Sequence, residues 1–261
     1  MKDNFQIKLS AKEILVIAAM LGFESIFGID DSAFLTSGTE MKGQIKQIVQ
    51  RLERKKLIRY DLDGTLYIVP TLRKSIECIC SAETVGFFST NLKSGKRTTI
   101  YVLGKDSVVT TLEHIGGGKY SICLSNAVPL TRIIPIEILN TQPFSMSEIL
   151  LFEEAQFVQR QIESFDNAEA EKRIQKYARD TNSVKAISQA LSRNCGYMSL
   201  HIYCKNKNLY DEVFSRLLVT VDNHTMSLLM DENDVLHFDA ICSDDIIKHI
   251  ISYLSVERGT Q

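Results

Sequence analysis

Residues 84–124 read TVGFFSTNLKSGKRTTIYVLGKDSVVTTLEHIGGGKYSICL, and this segment indicates an antiparallel β-sheet. Its runs of β-branched and aromatic residues predict four strands, at Thr84–Ser89, Thr98–Leu103, Ser107–Ile115 and Lys119–Leu124. The links between the runs are short and contain glycine, which is typical of hairpins. Gly116–Gly118 joins two strands, and no G-K-[ST] follows it, so we expect a hairpin tip and not a phosphate-binding loop.

Helices are predicted on the N-terminal side of this segment. Ser10 and Glu13 form a capping box, with Leu9 and Ile14 as the hydrophobic staple, and the helix should end before Gly22. An amphipathic pattern predicts a second helix over roughly Glu40–Lys56. A short hairpin and a helix should follow, with strands at Leu57–Tyr60 and Leu66–Val69 and the helix at Pro70–Cys80.

The C-terminal side begins with a similar motif, because Phe144–Ile149 repeats the cap and staple pattern of Leu9–Ile14. A long helix is expected from there to about Phe165, with a coiled-coil seam formed by Leu151, Ala155, Val158, Ile162 and Phe165. Tyr177, Val184 and Leu191 recur every seven residues in the next segment, about Ala168–Arg193. Together the two segments predict a long antiparallel helical hairpin.

The remaining elements complete an order that is the same in both halves. Pro129–Leu139 is expected to be helical with a break at Pro135. Strands and a Ser243-capped helix follow the helical hairpin, at Met198–Cys204, Leu217–Asp222, Thr225–Met230, Val235–Ala240 and Asp244–Leu254. The repeated order suggests a pseudo-two-fold duplication with an offset of roughly 135 residues. The alternative is a chance match, since capping boxes are common.

The fold class predicted from these elements is α+β, with antiparallel sheet flanked by helices and a long helical hairpin. We expect two α+β halves, residues 1–140 and 141–261, packed as one compact unit. The length of 261 residues and the hydrophobic content of 44% are sufficient for a substantial core.

Composition narrows the location and the class of partner. The net charge of −2 disfavours a sequence-independent nucleic-acid binder. The apolar runs are shorter than the ~18–20 residues of a membrane span, and the N-terminus lacks a signal-peptide pattern. Six scattered cysteines without a C-x-x-C pair are typical of a reduced compartment. A cytoplasmic location is therefore expected.

Motifs for catalysis or metal binding are not recognisable in the sequence. The five histidines lack the close spacing of zinc ligands. A G-x-S-x-G elbow is absent, and the acidic pairs are explained by helix first turns or outer helix faces. We therefore expect a binding protein, not an enzyme, with neither cofactor nor metal.

Six residues are candidates for binding a partner protein. Phe87 and Phe88 are adjacent in a predicted strand, so their rings should point to opposite faces, and one leaves the core unless both faces are covered. Lys93 and Arg97 lie at the basic tip that follows them, and Val158 and Ile162 lie on the helical seam. An exposed aromatic ring beside basic residues suits a protein interface.

A second interpretation concerns residues 40–69. A basic amphipathic helix followed by a β-hairpin resembles a winged-helix unit, which would contact DNA through Lys42, Lys46, Arg51, Arg54 and Lys55. The same charges also suit a solvated helix face. A winged-helix DNA-binding regulator is thus the alternative function.

The element order resembles the EspG-like chaperones of type VII (ESX) secretion systems and their relatives in Firmicutes. The likeness rests on LSAKEILVIAAMLG (9–22), VQRLERKKLIRYDLDGTLYIVP (49–70) and the hairpins of residues 84–124. It implies a cytosolic chaperone that binds a helical secreted client of the WXG100/LXG or PE/PPE kind and keeps it soluble for export. Formation of a homodimer stays open.

Overall fold

The strands and helices of the N-terminal half follow the predicted order closely. The computed structural model describes residues 5–24, 26–29, 39–92, 97–105, 108–139, 145–192, 195–207, 209–222 and 224–254. The elements of this half are β1 (Phe5–Ser10), α1 (Ala11–Met20), α2 (Thr39–Arg54), β2 (Ile58–Tyr60), β3 (Leu66–Ile68), α3 (Pro70–Cys80), β4 (Thr84–Asn91), β5 (Arg97–Lys105), β6 (Val108–His114), β7 (Lys119–Ser125), α4 (Leu130–Ile133) and α5 (Ile136–Leu139).

The C-terminal half repeats that order without the small hairpin. Its elements are β8 (Ser147–Leu151), α6 (Phe152–Glu163), α7 (Asn167–Ile174), α8 (Thr181–Ala190), β9 (Gly196–Asn206), β10 (Leu209–Val221), β11 (His224–Met230), β12 (Val235–Ala240) and α9 (Ser243–Leu254). Each half is therefore a strand, three helices, four strands and a final helical segment.

Ten strands of the described chain form one antiparallel sheet in the order β1-β7-β6-β5-β4-β9-β10-β11-β12-β8. The order is a palindrome, because the first strand of each half pairs with the last strand of the same half. The halves join through β4 and β9, where Thr84 pairs with Cys204 and Asn91 with Tyr197. The predicted α+β class is confirmed, and the strand order has the pseudo-two-fold arrangement expected from the repeated elements. The division at residue 140 stays a prediction.

The helices form two separate layers, side by side, on one face of the sheet and one layer on the other face. We call the side of the Phe87 ring the front face and the side of the Phe88 ring the back face. On the front face, α1–α3 cover the β5–β7 end of the sheet and α6–α8 cover the β8 and β10–β12 end. On the back face, α4, α5 and α9 cover the central strands. The sheet is thus covered on both faces, with the helices of the two faces centred on different strands; β5 has helices on both sides, α3 in front and α9 behind.

The capping box of the first helix forms as the sequence predicts. The Ser10 hydroxyl accepts a hydrogen bond from the Glu13 N–H, and the Glu13 carboxylate accepts one from the Ser10 N–H at 2.8 Å. Gly22 follows the helix with a φ of +86°, a backbone conformation that glycine adopts without strain. Lys55 then pairs with the buried Glu13 carboxylate at 2.6 Å and connects α1 to the end of α2.

The second cap and staple motif does not start a helix. Residues 147–151 form the edge strand β8, in which Glu148 and Leu150 are buried and Ile149 is exposed. Phe144 of this motif lies outside the described residues. The predicted two-helix hairpin is also wrong in detail, because three helices occupy the segment. Asp180 caps a new helix by accepting hydrogen bonds from the N–H groups of Asn182 and Ser183, so the chain changes direction before α8.

The helices are short compared with the thickness of a bilayer. The longest described helix, α2, has 16 residues and a length of about 24 Å. Within the described part of the chain, every helix is too short or too polar to cross a membrane.

Candidate functional site

The front face of the central strands lies between the two helical layers. Front-face helices pack on the strands to either side, α3 on β5 and α8 on β10. We call this part of the front face the central trough; its side chains come from β5, β4, β9 and β10, and they are Phe87, Ser89, Tyr101, Ser199, His201, Tyr203, Ser215 and Leu217. These side chains are half-buried or exposed, whereas back-face side chains of the two central strands, such as Phe88, Leu200 and Ile202, are buried.

Alternation along β9 produces the floor of the trough. Tyr197, Ser199, His201 and Tyr203 point to the front, whereas Met198, Leu200 and Ile202 point into the back-face core and are almost fully buried. Successive side chains of a strand face opposite sides, so one short segment supplies both the core and the trough floor.

Aromatic rings form one part of the trough. The Phe87 ring lies 5.2 Å from the Tyr101 ring and 6.0 Å from the His201 ring, and His201 stacks with Tyr203 at 6.4 Å. Phe27 packs edge-on against Tyr101 and closes that end. Such offset and edge contacts hold the rings in place and leave a rigid, partly apolar surface.

A polar network around His201 forms the other part. The Nε2 atom of His201 lies 2.7 Å from the Ser199 hydroxyl, and its Nδ1 atom lies 2.7 Å from the Glu212 carboxylate and 3.0 Å from the Ser215 hydroxyl. Burial raises the pKa of Tyr203, and the negative charge of Glu212 adds to this effect. The Tyr203 hydroxyl therefore keeps its proton to a higher pH than an ordinary tyrosine does.

The Ser199–His201–Glu212 geometry has the order of a hydrolase triad, but its setting differs from an active site. Ser199 lies in a central strand that pairs with β4 on one side and β10 on the other. The backbone of this strand is hydrogen-bonded to the strands on both sides. A triad enzyme instead needs free N–H donors to bind the oxyanion. Among the described residues, no group of three or more His, Cys, Asp or Glu side chains could hold a metal ion. Hydroxyl, imidazole and aromatic groups on a rigid floor instead suit the binding of a protein surface.

The structure separates the six predicted partner-binding residues. Phe87 lies half-buried in the trough, and Arg97 is exposed at the start of β5, where its Nε donates to Asn91 Oδ1 at 3.3 Å. Phe88 is 1% exposed in the back-face core, and Val158 is 0% exposed beneath α6. Ile162 packs against the same core as Val158. Lys93 lies outside the described residues.

Of the trough residues, only Phe87 was among the candidates predicted from the sequence. The signal was present in YMSLHIY, residues 197–203, where polar or aromatic residues alternate with aliphatic ones. Such alternation indicates a strand with its aliphatic face in the core and its tyrosine, serine and histidine face outside it. Glu212 and Ser215 become part of the trough only through the pairing of β10 with β9.

Comparison with known proteins supports the fold. No family model matches the chain, and no curated protein matches it in sequence. Its structure is similar to that of the Mycobacterium tuberculosis type VII secretion system chaperone EspG5, solved in complex with the PE25–PPE41 dimer. The chain has the EspG5 fold. The likeness has a TM-score of 0.65 and covers 98% of this chain and 99% of EspG5, with 8% sequence identity. The fold expected from the resemblance is confirmed over 98% of the chain.

Proposed function

We propose that this protein is a cytoplasmic chaperone of a type VII secretion system, which binds a helical secreted client and keeps it soluble for export. The likeness to EspG5 over 98% of the chain carries the proposal, since EspG5 is a secretion chaperone seen with a bound protein dimer. The client would be of the PE/PPE or WXG100/LXG kind. The trough adds a surface of suitable chemistry for a non-catalytic role.

The dimensions of the central trough suit one helical client end. Its side chains come from four strands, whose outer two lie roughly 14 Å apart at the usual strand spacing and carry α3 and α8 at the sides of the trough. An α-helix with its side chains is about 10–12 Å across. The end of one helix is therefore comparable in width with this part of the front face. Phe87 and Tyr203 would contact its apolar side chains, and the hydroxyls of Ser199 and Ser215 its polar groups and exposed backbone.

Purification of the tagged protein from its own cytosol, at moderate salt and with nuclease, tests the proposed function. Mass spectrometry should identify a small helical secreted protein in stoichiometric amount. That client, produced alone, should be insoluble or aggregated, and it should become soluble when the two proteins are produced together. Recovery of the chain without any protein partner would contradict the proposal.

A pair of variants tests the place of binding. Ser199→Trp fills the trough with a large ring, whereas Gln6→Trp puts the same ring on the exposed back face of β1. We expect the first variant to stay folded and to lose the client, and the second to retain it. Equal client recovery with both variants would remove the trough from the proposal.

A further inference from the structure

A strong local excess of positive charge lies on and beside α2. Seven cations and one glutamate fall between Lys42 and Arg59, whereas the whole chain has a net charge of −2. The equivalent helix of the other half, α7, carries two acidic and two basic residues. Because the halves share their architecture, the excess is a property of this surface and not a requirement of the fold.

Four of these cations form an open row on the solvent side of α2. All four are exposed. At about 100° per residue, Lys46 and Arg54 lie roughly opposite the buried Ile48 and Leu52, and Lys42 and Arg51 lie on the two flanks of the helix. Within the described part of the chain, none of the four takes part in an ion pair. Lys55 differs, since its ammonium group pairs with Glu13.

The helix dipole explains only part of the row. Arg51 and Arg54 lie in the last turn, where cations favour helix formation. Lys42 and Lys46 lie in the first half of α2, outside the last turn in which the dipole favours a cation. Their presence on the same exposed side points to an external anionic partner.

The surroundings of α2 favour a grooved partner over a flat one. The β2–β3 hairpin follows the helix, and Arg59 stacks over the exposed Tyr67 ring at 4.4 Å on its solvent face. The tip of the hairpin carries Asp61 and Asp63 around a fully exposed Leu62. These two carboxylates disfavour an extended anionic surface, such as a bilayer, that reaches both the helix and the hairpin tip. A groove about as wide as one helix would instead contact α2 alone.

We propose that α2 binds duplex DNA, by lying in the major groove with Lys42, Lys46, Arg51 and Arg54 on the phosphates at its two edges. The major groove is about 12 Å wide and accommodates one α-helix. The exposed Gln47 and Gln50 amides lie between the cations, where they can meet base edges. This activity is separate from client binding, because it uses a helix outside the central trough.

Fluorescence anisotropy with a labelled 20-base-pair duplex, between 50 and 200 mM salt, tests this proposal. Four phosphate contacts predict a log–log dependence of the association constant on salt with a slope of about −3.6. Lys46→Glu with Arg54→Glu should reduce the steepness by about half and weaken binding at least tenfold. Lys176→Glu with Lys185→Glu, an exposed pair on the other half with the same charge change, should bind as the unmodified protein does.

Other outcomes overturn the proposal. They are the absence of DNA binding at 50 mM salt, equal weakening by both double variants, or tighter binding to phosphatidylglycerol vesicles than to the duplex. Circular dichroism establishes folding, and Lys42→Glu with Arg51→Glu provides a second variant of the same row. Client recovery with the Lys46 and Arg54 variant should be unchanged, which separates failure of this proposal from failure of the chaperone function.

Discussion

Truncation of the neighbouring rings Phe87 and Phe88 should affect different properties of the protein, with Phe88→Ala lowering mainly the stability and Phe87→Ala mainly the affinity for the client. Phe88 is 1% exposed and packs in the back-face core, with its ring so close to Gly86 that a Cβ there would lie 2.5 Å from it. Phe87 is half-buried in the trough and contacts Tyr101 and His201. One ring therefore serves the core, and the other serves the surface that we assign to the client.

The expected magnitudes follow from these surroundings. Phe88→Ala removes a fully enclosed ring and should lower the free energy of unfolding by about 3–5 kcal/mol. Phe87→Ala removes a partly exposed ring and two ring contacts, so it should cost about 1–2 kcal/mol. At the centre of an interface, the same truncation should weaken client binding about tenfold or more.

Urea denaturation measures the first quantity and calorimetric titration of the purified client the second. Tyr67→Ala, which truncates an exposed ring on the β2–β3 hairpin, is the matched control and should leave client affinity unchanged. An equal loss of stability in the two phenylalanine variants would refute the assignment of faces. A folded Phe87→Ala protein with full client affinity would refute the role of the trough.

Two further predictions concern the helical layers. Val158→Asp with Ile162→Asp places carboxylates against the core beneath α6 and should abolish the cooperative thermal transition; a folded, soluble double variant would show that this core is dispensable. Burial alone would raise the pKa of Glu13, but hydrogen bonds from Lys55 and the Ser10 N–H outweigh it and lower the pKa below the ordinary 4.5. The resulting stabilisation is present above the unfolded-state pKa and is lost as the pH falls through the folded-state pKa. Glu13→Gln should therefore cost about 1–2 kcal/mol at pH 7, and urea titrations should show this difference closing below pH 4.5; a constant difference would contradict the pKa assignment.

Local signals predicted most of the fold, and the errors lie where long-range pairing prevails over them. Ser147, Glu148 and Ile149 match a capping box, yet they form a strand. The reason is that Leu150 pairs with Leu236 and fills the core, while the Glu148 carboxylate accepts a hydrogen bond from the distant Arg179 N–H. A pattern of six residues cannot show partners so far along the chain.

The first strand was missed for a similar reason. Phe5, Ile7 and Leu9 alternate as in a strand, but the segment leads directly into a capped helix and pairs with β7, more than a hundred residues away. The site depends even more on distant pairing. Phe87 is recognisable from its neighbour Phe88, whereas His201 meets Phe87 only because β4 and β9 lie side by side.

Site-specific photo-crosslinking tests the central claim, that the trough holds a helical client, most directly. A photoreactive residue replaces Ser199 in the trough in one protein and Gln6 on the exposed back face in another, in cells that produce the client. The account predicts a crosslink from position 199 to the end of a client helix and none from position 6. Crosslinks to the client from position 6 alone, or from neither position while the two proteins copurify, would place the client elsewhere and contradict the account.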